Sequence, residues 1–229
     1  MSKFLDWIRP ALTVPVTPWG AGESNWKAGP KTLFVLIAGL WLFGTGEAAF
    51  VASNIGVSPW VVFAQGISKL TGLSIGWSTF YISCSVLLLW IPLKRRPGLG
   101  TVMNIIVIAL ALQVMIPVFP TPTNLGLQIA EDLFGIILVG FGSALYITSN
   151  LGPGPRDGLM TGLHYKTGIR IGRVRTMIEI VVLSIGWAMG GTVGIGTLLF
   201  AGLIGQSIAM AFGIISRVAP QPTPEIASA

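Results

Sequence analysis

Asn54-Ile-Gly-Val-Ser-Pro59 recurs 96 residues later as Asn150-Leu-Gly-Pro-Gly-Pro155. The similarity extends in both directions. An ungapped alignment of residues 33–101 with 129–197 gives 20 identities in 69 positions, and nine of these are glycines. Duplicated apolar halves with matched helix breaks are a common design of membrane carriers. The chain is therefore predicted to contain two copies of one folding unit.

Composition indicates the class of protein. Charged residues make up 10% of the chain and hydrophobic residues 52%, whereas a soluble domain has about 25% charged residues. Six apolar runs approach or exceed the roughly 20 residues that cross a bilayer. They lie near residues 32–52, 75–93, 101–119, 133–148, 177–189 and 196–215. The prediction is an all-α polytopic membrane protein with six transmembrane helices.

Two further segments are too short to cross. Pro59–Thr71 and its copy Pro155–Thr167 would each form a helix of about 20 Å, against the roughly 30 Å of a hydrocarbon core. Each repeat then has three crossings, an odd number, so the second copy is predicted to insert upside down. The predicted domains are a cytoplasmic N-terminal tail (1–31), a first membrane repeat (32–127), a second, inverted membrane repeat (128–218) and a disordered C-terminal tail (219–229).

The basic residues support this topology. With both termini in the cytoplasm, 13 of the 14 basic residues fall on the cytoplasmic side and only Lys69 lies outside, as the positive-inside rule requires. If both short segments crossed, the clusters at 94–96 and 170–175 would lie on opposite sides. The net charge of +6 therefore indicates membrane orientation, and no nucleic-acid partner is expected.

Each short segment has helix boundary signals. Proline stands at the first helical position, Ser58 is a candidate N-cap, and Gly72 and Gly168 provide the stops. One interpretation is an interfacial helix on the membrane surface, with an apolar face formed by Trp60, Phe63, Ile67 and Leu70. The other is a re-entrant half-helix whose positive N-terminal end faces an anion or a polar substrate. The second copy favours re-entry, because it carries Arg156, Asp157, Thr161 and His164.

Polar residues within the apolar chain are the candidate substrate- or ion-binding residues. They are Glu47, Asn54, Asn150, Arg156, Asp157, His164 and Glu179. Glu47 either acts in proton coupling or substrate contact, or pairs with Lys69. Glu179 is either a proton or substrate site or the i,i+4 partner of Arg175. No cofactor or metal is expected, because the chain has one histidine and one cysteine.

Glycines 39, 44 and 46 recur as glycines 135, 140 and 142. They make one face of the first and fourth predicted crossings smooth, so these two helices are predicted to pack closely. A pore-lining role is the alternative.

The pattern beginning Asn150-Leu-Gly-Pro-Gly-Pro-Arg-Asp-Gly158 continues with Thr167-Gly-Ile-Arg-Ile-Gly172 and Gly194-Ile-Gly-Thr197. Over about residues 30–215 it resembles the YczE/YyaS/YitT-like bacterial integral membrane proteins. The resemblance implies a bacterial inner-membrane protein and brings no residue roles with it.

Three functions are consistent with the sequence. A secondary transporter or exporter of a small molecule is favoured, because inverted repeats with paired helix breaks are typical of alternating access. A non-transporting scaffold or accessory factor for a biosynthetic or secretion complex, and a passive channel, are the alternatives. No enzyme is expected, because the sequence has no nucleotide loop, metal set or suitably spaced acid pair. The expected partners are the lipid bilayer and a small-molecule substrate, and a homo-oligomer is left open.

Overall fold

The computed structural model describes residues 10–11, 13–22 and 24–219. Within these residues the protein is all-helical, without a strand. In chain order the eight helices are α1 (Pro30–Ser53), α2 (Pro59–Thr71), α3 (Ile75–Leu88), α4 (Leu99–Met115), α5 (Leu125–Thr148), α6 (Pro155–Thr167), α7 (Ile171–Ala188) and α8 (Ile195–Val218). Most of the predicted C-terminal tail (220–229) lies outside the described residues.

Three of these helices, α1, α5 and α8, have 24 residues each and are long and apolar enough to cross a membrane. A fourth crossing would combine α2 and α3, whose axes turn by 111°. The protein is therefore a multi-pass membrane protein with three or four candidate spans by length and composition. Of the other predicted crossings, α3 has 14 residues and α4 has 17, while α7 carries Arg173, Arg175 and Glu179.

The two short helices have the predicted bounds. Each begins with proline at its first position and ends at a glycine in the left-handed region, Gly72 with φ 75° and Gly168 with φ 71°. Such a φ favours glycine. Ser58 holds the N-cap position of α2 but makes no side-chain cap bond. Its hydroxyl donates to Oε2 of Glu47 instead, at 2.7 Å.

Glycines bring α1 and α5 together, as predicted. A Cβ atom added at Gly39 would lie 2.9 Å from the carbonyl oxygen of Gly142, and one added at Gly46 would lie 2.6 Å from that of Gly135. The order of these contacts reverses along α5, so the two helices are antiparallel. Any side chain larger than hydrogen would force these two helices apart.

The helices form two groups, which we call the bundle and the flank. The bundle consists of α1, α4, α5 and α8: Gly44 of α1 packs against α4, and Ser207 of α8 donates to the carbonyl oxygen of Ile136 in α5 at 3.0 Å. The flank consists of α2, α3, α6 and α7. One apolar cluster joins these four helices, with buried members Trp60, Ala64, Ile82, Val86, Leu159 and Val182.

The described part of the N-terminal segment packs on the bundle. Thr17 donates through its hydroxyl to the carbonyl oxygen of Thr148, at 3.2 Å. The backbone N–H of Ala21 donates to Ser149, and that of Ala11 donates to Ala209, both at 2.9 Å. These bonds attach the segment to the C-terminal end of α5 and to the C-terminal half of α8. Residues 1–9, 12 and 23 of the predicted cytoplasmic tail (1–31) lie outside the described residues.

Candidate functional site

A cavity of about 240 Å³ lies between the bundle and the flank. Phe43, Ile108, Val139, Phe200 and Ile204 form much of its apolar wall. Its polar groups come from both sides: Glu47, Asn104, Ser143 and Tyr146 from the bundle, and Ser58, Ser83, Arg156, Asp157, Arg175 and Glu179 from the flank. A small number of polar groups in an apolar cavity is typical of a small-molecule site.

The two short helices both begin at this cavity. Residues 58 and 60 at the start of α2 line it, as do residues 154 and 156 at the start of α6. The first residue of each helix, Pro59 or Pro155, is buried, whereas Leu70 and Tyr165 near the C-terminal ends are 68% and 74% exposed. Both helices therefore direct the positive ends of their dipoles into the protein. This arrangement agrees with the re-entrant interpretation for both copies.

The cavity is lined by equivalent positions of the two repeats. Seven pairs of lining residues are separated by 96 positions: 43 and 139, 47 and 143, 58 and 154, 60 and 156, 83 and 179, 104 and 200, and 108 and 204. Equivalent positions have the same backbone setting but carry different chemistry. Glu47 is paired with Ser143, and Trp60 with Arg156. Duplication thus gives a symmetric frame with an asymmetric set of side chains.

Glu47 is 2% exposed and accepts the hydrogen bond from Ser58. Residues 54–58 fold back from the end of α1 and bring Ser58 to the depth of this carboxyl. The proposed pair with Lys69 is wrong, because the Lys69 ammonium donates to the carbonyl oxygen of Gly190. The cation that acts on Glu47 electrostatically is Arg156.

Arg156 stacks on an aromatic ring. Its guanidinium carbon lies 4.8 Å from the centroid of Trp60, a distance typical of a cation–π contact. The charges of Glu47 and Asp157 act on it. Among the described residues, no hydrogen bond or salt bridge uses its side-chain N–H groups. Arg156 thus presents unused donors at the cavity, beside the N-terminus of α6.

The other acids of the site have partners. The Tyr146 hydroxyl donates to Oδ2 of Asp157. Nε of Arg175 donates to Oε1 of Glu179 at 2.9 Å, so the predicted i,i+4 pair is confirmed. Both members of this pair also line the cavity, so the pair and a role at the cavity are compatible.

Three predicted site residues lie outside this cavity. Asn54 and Asn150 have φ of 57° and 52° and occupy turns where asparagine is favoured among residues with a side chain. Asn150 also donates to the carbonyl oxygen of Ala21, at 3.0 Å. Nδ1 of His164 lies 2.6 Å from the carbonyl oxygen of Ile169. All three residues shape the chain near helix ends.

Trp60 and Tyr146 were missed as site residues. Aromatic residues in an apolar run are usually read as packing or lipid-facing groups. A usable signal existed for Trp60, because it is the repeat equivalent of Arg156, and the start of α2 faces the same cavity as the start of α6.

Comparison with known proteins gives several matches. A family described as a family of unknown function, DUF6198, matches residues 30–212. An uncharacterized protein of Haemophilus influenzae is 46% identical over 205 residues, covering 90% of this chain and 94% of its own. The uncharacterized membrane protein YczE of Bacillus subtilis is 31% identical over 170 residues, covering 73% and 79%. YyaS of the same organism is 24% identical over 187 residues, covering 78% and 91%. The resemblance to YczE and YyaS is confirmed, and no solved structure matches the chain.

Proposed function

The chain belongs to DUF6198, a family of unknown function, and we propose from its structure that it is a secondary transporter of the bacterial inner membrane that moves a small molecule by alternating access. The observation that carries the proposal is the polar cavity between the bundle and the flank, where two buried helix N-termini meet. Substrate sites of inverted-repeat transporters lie at the repeat interface and use such broken helices.

Reciprocal contacts support an inverted repeat. Thr101 donates to the carbonyl oxygen of Pro153 at 2.7 Å, and Thr197, which is 96 residues later, donates to that of Val57 at 2.9 Å. Each bond runs from one half of the chain to the other. A two-fold axis that exchanges the halves produces such pairs, and the antiparallel packing of α1 on α5 fits the same axis. We propose six crossings on this basis, with α3, α4 and α7 as the shorter ones.

The placement of charge supports an N-terminus in the cytoplasm. The Arg95 guanidinium lies 5.4 Å from the ring centroid of Tyr165, so the 94–96 cluster lies at the end of α6. The 170–175 cluster begins three residues after α6 ends. Both clusters therefore belong to one end of the molecule, which the positive-inside rule assigns to the cytoplasm.

An asymmetry between the halves supports two conformations. In the first half α3 packs against α4: a Cβ atom at Gly76 would lie 2.7 Å from the carbonyl oxygen of Ala109. The equivalent residues in the second half are Gly172 and Gly205. Among the described residues, no atom lies within 4 Å of a Cβ added at either. We propose that this conformation is closed to the periplasm, and that a second one closes Gly172 on Gly205 and opens α3 from α4.

The chemistry of the cavity favours a substrate with an oxyanion group. Arg156 has unused N–H donors in the cavity, and guanidinium binds carboxylates and phosphates well. Two helix N-termini add positive potential. A volume of about 240 Å³ is below the roughly 300–1,000 Å³ of common ligand pockets, so the substrate is small.

Mutually exclusive cross-links test alternating access. Ser74 donates to Gln113 in this conformation, and the repeat equivalents of these residues are Arg170 and Ala209. In a Cys84→Ser background, Ser74→Cys with Gln113→Cys is expected to cross-link in this conformation. Arg170→Cys with Ala209→Cys is expected to cross-link only in the other.

Transport itself is measured in proteoliposomes with radiolabelled alanine, succinate and phosphate, with and without a proton gradient. Each cross-link is expected to stop uptake, and reduction is expected to restore it. If the cysteines at positions 170 and 209 never cross-link, with or without a proton gradient and with any of the three labelled compounds, alternating access is wrong. A non-transporting scaffold or accessory factor is then the better interpretation.

A further inference from the structure

Asp132 is an acid with no visible partner. It lies in α5, about two turns after the helix begins, and is 0% exposed. Neither of its carboxyl oxygens has a hydrogen-bond partner among the described residues. The nearby Ser53 hydroxyl donates to the carbonyl oxygen of Phe50 at 2.9 Å and not to this carboxyl group. Buried charges in proteins are normally paired, so an unpaired acid here needs an explanation.

The surroundings of Asp132 hold no counter-charge. A Cβ atom added at Gly196, in the first turn of α8, would lie 2.6 Å from Oδ1 of Asp132. Neither this turn nor residues 54–58 contain an ionisable side chain. Glu47 of α1 is two turns below Ser53, and Glu131, the neighbour on α5, is itself an acid with an unpartnered buried oxygen. In these described segments, every ionisable group near Asp132 is therefore itself an acid.

The equivalent position in the first repeat shows what this environment accepts. Residue 36 is leucine and is also 0% exposed. The same backbone setting therefore suits a neutral apolar side chain. A carboxyl group fits such a place as the neutral acid, and its conjugate base requires contact with water or a cation.

The contact that covers Asp132 also leads to the cavity. The N–H of Gly196 donates to the carbonyl oxygen of Ile55 at 2.9 Å, and Thr197 donates to that of Val57. The following residue, Ser58, binds Glu47 in the cavity. Separation of α8 from residues 55–57 would thus admit water to Asp132 and move the wall of the cavity at the same time.

We propose that Asp132 carries the coupling proton of this protein, an inference that rests on the transporter proposed above. In the present conformation the proton stays on the carboxyl group. In the conformation open to the periplasm, the O–H bond breaks, the electron pair stays on the carboxylate and the proton passes to periplasmic water. Substrate movement is then linked to the protonation of one buried acid outside the substrate cavity.

The test measures conformation against pH without any substrate. Spin labels on cysteines at positions 170 and 209, in the Cys84→Ser protein, report the distance between α7 and α8 in lipid nanodiscs. Raising the pH is expected to increase the population with the short distance. For one proton, the ratio of the short-distance to the long-distance population rises by at most about tenfold per pH unit. Asp132→Asn mimics the neutral acid and is expected to hold the long distance at all pH values, whereas the matched control Glu131→Gln keeps the response.

The outcomes separate this inference from the proposed function. If the short distance appears but Asp132→Asn keeps the full pH response, Asp132 is not the coupling group. If the short distance never appears in any protein, alternating access itself is wrong. Infrared spectra then still test the protonation of Asp132: the wild type is expected to show a protonated carboxyl band that Asp132→Asn and Asp132→Leu lack. The same band in all three proteins would overturn the assignment.

Discussion

At the scale of single residues, the stacking of Arg156 on Trp60 is the feature most open to experiment. The guanidinium carbon of Arg156 lies over the Trp60 ring, and among the described residues no hydrogen bond uses the guanidinium N–H groups. Arg156→Gln is expected to lower uptake of an oxyanion substrate by at least about tenfold, because a charge-assisted hydrogen bond contributes about 1.5–3 kcal/mol. Initial uptake rates in proteoliposomes measure this effect. Lys166→Gln, near the exposed end of α6, is the matched control and is expected to keep wild-type uptake.

Glu47 provides a second test. Because Lys69 bonds to Gly190 rather than to Glu47, the two residues are expected to act independently. Glu47→Gln keeps the size of the side chain but removes the charge beside Arg156, and it is expected to reduce transport with little loss of folded protein. Lys69→Gln is expected to transport normally. If both single variants lose transport equally and the double variant recovers it, Glu47 and Lys69 form an ion pair and the contacts described here are wrong.

At the scale of helices, the glycine contact of α1 with α5 determines whether the bundle assembles. Gly46→Leu places a side chain where even a Cβ atom would lie 2.6 Å from the Gly135 carbonyl oxygen. Overpacking of this kind costs typically about 1–3 kcal/mol, so a lower melting temperature and less monodisperse protein in detergent are expected. Gly202→Ala is the control, because its added Cβ would meet no described atom within 4 Å. Equal melting temperatures for both variants would contradict this role of the glycines.

The sequence predicted the bounds of α2 and α6 better than the end of α3. Proline at the first position and glycine after the last are local signals, so the bounds of α2 and α6 follow from them directly. The end of α3 at Leu88 has no such signal. The apolar run continues to Leu93, and the chain leaves the helix in a series of turns that place Trp90 against α6, where its indole N–H donates to Pro155 at 2.9 Å. That contact depends on tertiary structure, which periodicity does not contain.

Asp132 shows a related limit at the site. It lies at the start of an apolar run next to another acid, a position that resembles a polar helix end. Glu47, by contrast, lies well inside a long apolar run, and its burial could be predicted.

At the scale of the whole molecule, orientation is the property to measure. In a Cys84→Ser background, cysteines at residues 122 and 192 are expected to react with a membrane-impermeant maleimide from outside the cell. Cysteines at residues 95 and 170 are expected to react only after permeabilisation. Labelling of residues 95 and 122 from the same side would exclude the six-crossing inverted arrangement.

The reciprocal threonine bonds also bear on how such a chain arises and folds. Thr101 of the first half bonds to the second half, and Thr197 of the second half bonds to the first. Neither half contains the acceptor that its own threonine uses, so each half completes these bonds only with the other half. If the halves are inverted as proposed above, a single-copy ancestor would form these bonds between two chains inserted in opposite directions, as a dual-topology homodimer. On that proposal, fusion of two copies would fix each in one orientation and would leave Glu47 and Arg156 free to differ from their repeat equivalents, Ser143 and Trp60.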